Sequence, residues 1–482
     1  MLAFDGSSPP GGPGKDQAWE DRANWRKDAD TTIGARHSAF KPEDFTKEAI
    51  ATNGLIPVSA VILAWKRLDS LKLVVKYLRK YPFIQEILIW NNNDEMQLSA
   101  ADFGEGEPSM NALVKVFNSN ENLHDMAKYM TCSMAEHDHC YFQDDDWLNL
   151  HIDSQYSNFL RSPDLIHSTT MPMIHIEHRR WTFTDPTFHL HSGFTWMGCG
   201  AFFPREKAQR FLAQLGSSDL PKEKLRLADM YFSIWTNQYP YQISNPLTPL
   251  DQRSGWSERP DQWNIVFTNM LDAAKRLGNS LQLQARGEEG DFEVEEALPL
   301  IRDRHVRSPC FNDQCLFITS LDAFPDPKAV TFHMNATSIQ EHERQFYDHN
   351  FPANDFWDKH SYHHAVDGDP STCWNSHKHP KVGDYFGLQF VKPFLYEKIT
   401  IFSSKDISNF DASFNIGISV DGMEWKECKR MHQDQRDGQR TEITIDFNCL
   451  GLEPVSFIKL EAARNFTEPF EICSLHLNGL EV

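Results

Sequence analysis

Three carboxylates stand side by side at Asp144, Asp145 and Asp146, directly after the run "HCYFQ" (139 to 143) and before Trp147. Adjacent carboxylates repel one another, so a cleft that holds them ionised needs a compensating positive charge. A hard divalent cation supplies it. Mg2+ or Mn2+ takes oxygen ligands, and an ion held through only one or two carboxylates keeps positions open for phosphate oxygens. Taken alone, the triplet reads about equally well as a solvated acidic turn.

Other residues have chemistry-bearing types. Asp229 lies in "KLRLADMYFSIWTNQY" (224 to 239), a helical pattern with an apolar stripe of Leu227, Met230, Tyr231 and Ile234. The acid falls off that stripe, although an acid in a first helical turn is also favoured by the macrodipole. His175 with His178, and His189 with His191, have spacings that could ligate zinc. No Cys/His quartet accompanies them, and ordinary hydrogen-bonded histidines are the expectation. Nine cysteines, among them Cys310 and Cys315 in "SPCFNDQC", and the sequons at Asn335 and Asn465 raise a secretory lumen as the compartment.

The elements that must position the triplet are legible as periodicities. "IPVSAVILAW" (56 to 65) is an apolar run of strand length, and "DSLKLVVKYLRK" (69 to 80) spaces Leu71, Val74, Val75 and Leu78 as a helix face. A strand "EILIWNN" (86 to 92) completes a βαβ unit, whose connection is right-handed and whose strands are parallel and buried. The rhythm repeats with "LVKVFNS" (113 to 119), a helix around 122 to 135, and the strand 139 to 143. The aspartates therefore fall at the carboxyl end of a parallel strand, where open α/β sheets bind ligands. "GCGAFFPREKAQRFLAQL" (198 to 215) reads as a turn or strand feeding a helix.

Length and composition bound the rest. A chain of 482 residues with 40% hydrophobic residues holds more than one core. Residues 1–53, polar and rich in Gly and Pro near the start, read as a disordered tail. Residues 54–331 read as an α/β domain, ending in a surface loop and linker over about 285 to 331. Residues 332–482 carry short alternating runs at 396 to 404, 414 to 422, 441 to 447 and 456 to 463, the rhythm of an antiparallel β-sandwich. With 47 basic against 68 acidic residues the net charge is −21, a field that repels phosphate backbones, so nucleic acid is not an expected partner. No apolar run is long enough to span a bilayer and no signal peptide is visible, so membrane contact is expected to be indirect at most.

In order, "ILAWKRLDSLKLVVKYLRKYPFIQEILIWNNN", "YFQDDDW", "GCGAFF" and "LADMYFSI" resemble the nucleotide-sugar domain of the exostosin and exostosin-like glycosyltransferases (family 64, GT-A fold), over about residues 55 to 260. The resemblance implies a metal-dependent, retaining transferase that uses sugar nucleotides such as UDP-N-acetylhexosamines, with Mn2+ or Mg2+ as cofactor. It implies nucleotide contacts for Arg67 and Asn91, and diphosphate-side roles for Asn122 and Lys128. It assigns Asp144 and Asp145 to ribose and metal-water contacts, Asp146 to the metal, and Asp229 to catalysis or acceptor orientation. The family's paired acids are here Ala228 and Asp229, its arginine-rich segment is replaced by "LHDMA", and Arg259 in "SGWSERPDQW" stands where a further family arginine would be.

"HHAVDGDPSTCWNS" (363 to 376), with "DYFGLQF", "GISVDGMEW" and "FIKLEA", resembles a discoidin-like (coagulation factor 5/8 C-terminal type) β-sandwich over about 333 to 482. That resemblance gives Asp367, Gly368 and Trp374 structural roles and leaves glycans, lipids or proteins as ligand classes. Two functions follow: a glycosyltransferase acting on a glycan or glycolipid acceptor, or a non-catalytic carbohydrate-binding protein on a degenerate transferase fold, suggested by Ala228. The family resemblance implies the secretory pathway or Golgi lumen, while the missing signal leaves a cytoplasmic location open.

Overall fold

The computed structural model describes residues 27, 29–31, 56–104, 112–251, 262–294, 305–334, 338–394, 398–405, 410–437, 440–448 and 454–477. The tail expected over residues 1–53 therefore lies almost wholly outside the described residues. Of it, residues 29–31 are helical, and Ala29 is buried in a core of the first sheet.

Strand β1 (Val58–Ala64) leads through helix α1 (Leu68–Leu78) to β2 (Ile84–Asn91), and β3 (Leu113–Asn118) pairs with the far side of β2. All three strands are parallel, as their continuous apolar runs require. Helix α2 (Met126–Ser133) then carries the chain back to β4 (His139–Gln143), which pairs in parallel with the other side of β1. The short β5 (Trp147–Leu148), helix α3 (Ile152–Phe159), β6 (His167–Thr170), helix α4 (Pro172–Arg179), the hairpin β7 (Thr182–Asp185) and β8 (Leu190–Gly193), and β9 (Ala201–Pro204) follow. Helix α5 (Arg205–Ser217), helix α6 (Ala228–Trp235) and β10 (Tyr241–Ser244) come next. The main sheet has seven strands in the order β10-β6-β9-β4-β1-β2-β3. It is mixed, because β9 runs antiparallel to both β4 and β6.

One apolar cluster, including Val74, Ile87 and Phe202, covers one face of this sheet, and another, including Phe142, Phe203 and Trp235, covers the opposite face. Helix α6 departs from the amphipathic pattern. Every residue from Ala228 to Trp235 is buried, so the helix has no solvent face and Asp229 enters the interior with the rest. Helix α7 (Gln262–Ala285) closes that side.

Strands that join the sandwich sheet begin before the boundary expected at 332. Within the stretch read as linker, β11 (Thr248–Pro249) having already paired with β5, the strands β12 (Val306–Pro309) and β13 (Cys315–Thr319) form an antiparallel hairpin. Strand β13 then pairs along β15 (Tyr385–Phe394). The linker reading failed because the acidic run nearby dominates the composition while these two strands are short. The remaining strands, β14 (Trp374–Asn375), β16 (Lys398–Ser403), β17 (Phe414–Ser419), β18 (Lys426–Glu427), β19 (Lys429–Asp437), β20 (Arg440–Asn448), β21 (Val455–Ala462) and β22 (Glu471–Leu477), complete two antiparallel sheets. Their orders are β12-β13-β15-β21-β17-β18 and β14-β22-β16-β20-β19. Leu388, Ile416 and Ile458 from one sheet share a core with Ile401, Ile443 and Leu475 from the other, which is the face-to-face packing of a sandwich.

The two halves are stitched by polar bonds. Asp313, at the tip of the β12–β13 hairpin, accepts from Ser154 N at 2.9 Å, Asp153 N at 3.0 Å and Ser154 Oγ at 2.6 Å, satisfying the open N-terminus of α3. Asp322 is bonded by Arg179 Nη1 at 3.1 Å and Tyr362 OH at 3.0 Å, and Arg307 Nη2 lies 3.4 Å away. Burial opposes its charge, but these two arginines outweigh that cost and hold the carboxyl far below its usual range. Helix α8 (Ile339–Asp348) returns to the first domain, where His342 stacks on Trp181.

Disulfides join Cys132 to Cys140, Cys310 to Cys315 and Cys373 to Cys473, while Cys199 is a buried free thiol. Among the described residues no helix is long and apolar enough to cross a membrane.

Candidate nucleotide-sugar and metal site

The strand order turns back between β1 and β4, and ligand crevices of open α/β sheets lie beyond the carboxyl ends at such a switch point. Arg67 follows β1 and the aspartate triplet follows β4; Ile62 pairs with Gln143 in register, so both segments leave the sheet over the same edge. Arg67 Nη2 lies 2.5 Å from Asp145 Oδ1, and Nη1 lies 3.0 Å from Asp146 Oδ2. Nη1 also donates to the Asp251 carbonyl at 3.2 Å. The planar guanidinium thus joins three segments, a geometry a lysine could not reproduce.

Backbone bonds fix the triplet. Asp144 N donates to Gly198 O at 2.7 Å, and Leu250 N donates to Asp146 O at 2.8 Å, extending the β5–β11 ladder. The carboxylates alternate: Asp144 and Asp146 are partly exposed, whereas Asp145 turns inward and is 3% exposed. Burial pushes Asp145 up to about 7, opposed by Arg67 and reinforced by Asp146 and Asp144. Burial pushes Asp144 up to about 6, opposed by Lys128 and reinforced by Asp146 and Asp229. Burial also disfavours the Arg67 cation, but Asp146, Asp145 and Asp144 outweigh it and raise its pKa.

A hard divalent cation fits this set. Every donor is oxygen, Asp145 Oδ2 is buried without a hydrogen-bond partner, and one guanidinium faces three acids. Among the described residues these acids do not converge into a closed three-ligand group. An ion here would be held through one or two carboxylates, its shell completed by substrate oxygens and water.

In the interior beside Asp144, Lys128 Nζ lies 2.8 Å from Asp229 Oδ1 and donates to Oδ2 at 2.9 Å. Tyr129 OH donates to Asp229 Oδ1 at 2.6 Å, and the Lys128 ammonium sits 4.1 Å from the Phe142 ring centre. Asp229 is 0% exposed and Lys128 1%. Burial works against the ammonium, but Asp125, Asp229 and Asp144 outweigh it and keep Lys128 charged. Asp125, 3.8 Å from Lys128, is itself pushed well up by burial, against the pull of Lys128 and with Asp229 and Asp144 adding to the shift.

Of the remaining sequence-derived residues, Asn91 is fully buried and organises the loops beyond β2 and β3. Its Nδ2 donates to Met96 O and Asn118 Oδ1, and its Oδ1 accepts from Asn93 N. It has no exposed surface. Asn122 is half-buried and its Oδ1 accepts from His124 N at 2.8 Å, fixing the turn before α2. Arg259 lies outside the described residues. Burial holds His178 down at about 3 and His175 well below its usual value, so both are neutral interior histidines. Reasoning from sequence missed Asp125, Tyr129 and Gly198. Asp125 carried a signal, three residues before Lys128 on a helical pattern; Gly198 is explained only by its contact with Asp144.

No family model and no curated protein sequence matches the chain. Among solved structures, the chain is similar to a mannosyltransferase from Pyrobaculum calidifontis, in complex with GDP-Man and Mn2+, at 14% identity and a TM-score of 0.29, covering 53% of this chain and 74% of that one. It is similar to HddC from Yersinia pseudotuberculosis at 14% identity and a TM-score of 0.21, over 32% of this chain and 79% of that one. A CBM32 domain from Clostridium perfringens, in complex with GalNAc-β-1,3-galactose, matches 24% of this chain and 83% of its own length, at 16% identity and a TM-score of 0.20.

Proposed function

We propose that the chain is a divalent-cation-dependent glycosyltransferase that moves a sugar from a nucleotide diphosphate onto a glycan or glycolipid acceptor. A UDP-linked N-acetylhexosamine donor and retention of configuration are the specific form of this reading. The observation that carries it is the Arg67 fork bonded to Asp145 and Asp146 at the switch point of the sheet. Arg67 holds the triplet in register and offers its cationic edge to the nucleotide. Asp146 is the residue proposed to ligate Mn2+ or Mg2+, with Asp144 and Asp145 on the ribose and the metal's waters. The ion, when bound, would neutralise the diphosphate leaving group.

Lys128 supplies the second positive charge of the cleft, while Asn91 and Asn122 shape the loops around the nucleotide and Arg259 is proposed to contact the donor. Asp229 is proposed to act at the sugar, which requires Lys128 and Tyr129 to release it. The sandwich domain would hold or orient the acceptor. The disulfides among the described residues and an exposed sequon asparagine at Asn465 support an oxidising, secretory compartment.

The sealed state of Asp229 favours a second reading, a carbohydrate-binding protein that keeps the nucleotide fold without turnover. A panel of UDP- and GDP-sugars, assayed for nucleotide release and for calorimetric binding with Mn2+, separates the two. Metal-dependent release supports the transferase, binding without release supports the second reading, and neither overturns the nucleotide-sugar reading altogether.

A further inference from the structure

The sandwich domain carries a second cluster of ligand-type residues, chemically unlike the first. His363 and His364 sit in the single 3-10 turn Tyr362–Ala365, and Asp367 follows in the next turn. Each offers one ligand atom, and the three atoms lie within 4.8 Å of one another. His364 Nδ1 is 3.0 Å from Asp367 Oδ2, and the two imidazole centres are 4.0 Å apart.

Three observations show that the cluster is built and not incidental. First, His363 Nδ1 is buried with no hydrogen-bond partner, so this polar atom calls for a ligand that the protein itself does not supply. Second, the Asp367 carboxylate is held from behind: Oδ2 accepts from Thr372 Oγ1 at 2.6 Å and Oδ1 accepts from Asp369 N at 3.0 Å. Such outer bonds orient metal-ligating carboxylates. Third, the turn is anchored on both sides: Tyr362 and Ala365 are buried, Val366 O accepts from Phe311 N, and the Cys373–Cys473 disulfide follows directly.

The geometry points to a Zn2+ site formed by His363, His364 and Asp367. Two imidazole nitrogens and one carboxylate suit Zn2+, whereas Mg2+ and Ca2+ prefer oxygen-only shells with more ligands. Three protein ligands leave the fourth tetrahedral position to water or to a donor atom of a partner. The cluster belongs to a different domain from the aspartate triplet and has a different donor set, so it stands or falls apart from the transferase reading.

Calorimetric titration of the full chain with Zn2+, against Mg2+, Ca2+ and Mn2+, tests the assignment. One Zn2+ is expected to bind per chain, and Asp146→Asn should leave that binding intact. Thr372→Val, which frees the carboxylate from its outer bond, should weaken binding by about 10- to 100-fold, and His363→Ala or His364→Ala by more. Absence of saturable Zn2+ binding, wild-type affinity in both histidine variants, or displacement of Zn2+ by an equal concentration of Ca2+ would each overturn it. Should the variants fail to fold, Co2+ titration of the wild type still decides. Intense visible bands of tetrahedral Co2+, abolished by Zn2+, support the site, and the weak spectrum of aqueous Co2+ refutes it.

Discussion

Gly198 is where a single methyl group should disable the proposed metal site without touching a ligand. A Cβ built there stands 2.7 Å from Asp144 Cγ and 2.8 Å from Trp196 Nε1, with Asp144 Oδ2 nearer still. Carbon contacts of this kind settle at about 3.5–4.0 Å, so Gly198→Ala must drive the Asp144 carboxylate away by roughly 1 Å. A misplacement of about 1 Å in a catalytic constellation costs on the order of 10²-fold in rate, while overpacking costs about 1–3 kcal/mol in stability. Asp144 is a partly exposed side chain that can swing outward, which puts the stability loss at the lower end. Gly216, in α5, is the control: nothing lies within 4 Å of its built Cβ. Gly216→Ala should gain about 0.5 kcal/mol from helix propensity and leave the cleft unchanged. Calorimetry of Mn2+ with UDP, together with donor turnover, reads both variants. A folded Gly198→Ala protein with wild-type affinity and turnover would refute the claim that Asp144 works in a fixed position.

Three other outcomes follow from the same geometry. Asp144 and Asp145 are raised to about 6 and about 7, so their burial stabilises the metal-free fold least above pH 7, and that cost fades as pH falls towards the unfolded value near 3.9. A cation held by Asp146 favours the ionised forms of its two neighbours: Mn2+ affinity should rise from pH 5.5 to pH 8 with measurable proton release, and a flat profile contradicts the shifted acids. Asp229→Asn leaves the Lys128 ammonium buried beside a neutral amide, so denaturant unfolding should show a loss of about 3–5 kcal/mol, and turnover should fall on the order of 10²-fold. Unchanged stability would mean the pair is not buried in solution, and unchanged turnover would remove Asp229 from the chemistry. A fragment starting at 332 lacks β13, which pairs along one side of Tyr385–Phe394, and should show no cooperative unfolding, whereas one starting at 305 should. Equal transitions from both fragments would restore the boundary at 332.

The first domain was legible because its signals are local. Four apolar runs and a helix face gave β1, α1, β2, β3 and β4 in order, and parallel pairing placed Asp144–Asp146 at a carboxyl end. Arg67 came from the resemblance, and its bonds to Asp145 and Asp146 depend on the turn back from β3 to β4, which no periodicity reports. Asp229 exposes the limit of amphipathic reasoning. Position off an apolar stripe implied access to solvent or substrate, but α7 covers α6 and makes the whole helix interior, so the acid needed Lys128 as an internal partner. Asn91 was read as a pocket residue, although a short polar side chain at a strand end serves equally well to tie loops together. The β12–β13 hairpin escaped notice because each strand is only a few residues long and its pairing partner, β15, lies far along the chain.

The measurement that bears most directly on the central claim is a thermal melt of the wild type and Asp146→Asn, each alone, with Mn2+, with UDP, and with both. A ligand that binds only the native state stabilises by about 2.7 kcal/mol at a hundredfold excess over Kd, a shift of a few degrees. If Asp146 ligates the ion, the wild type shifts only when Mn2+ and UDP are present together, and Asp146→Asn, with Arg67 still bonded to Asp145, does not shift at all. A full shift in the variant, or none in the wild type, would contradict the assignment of the triplet as the metal and nucleotide site.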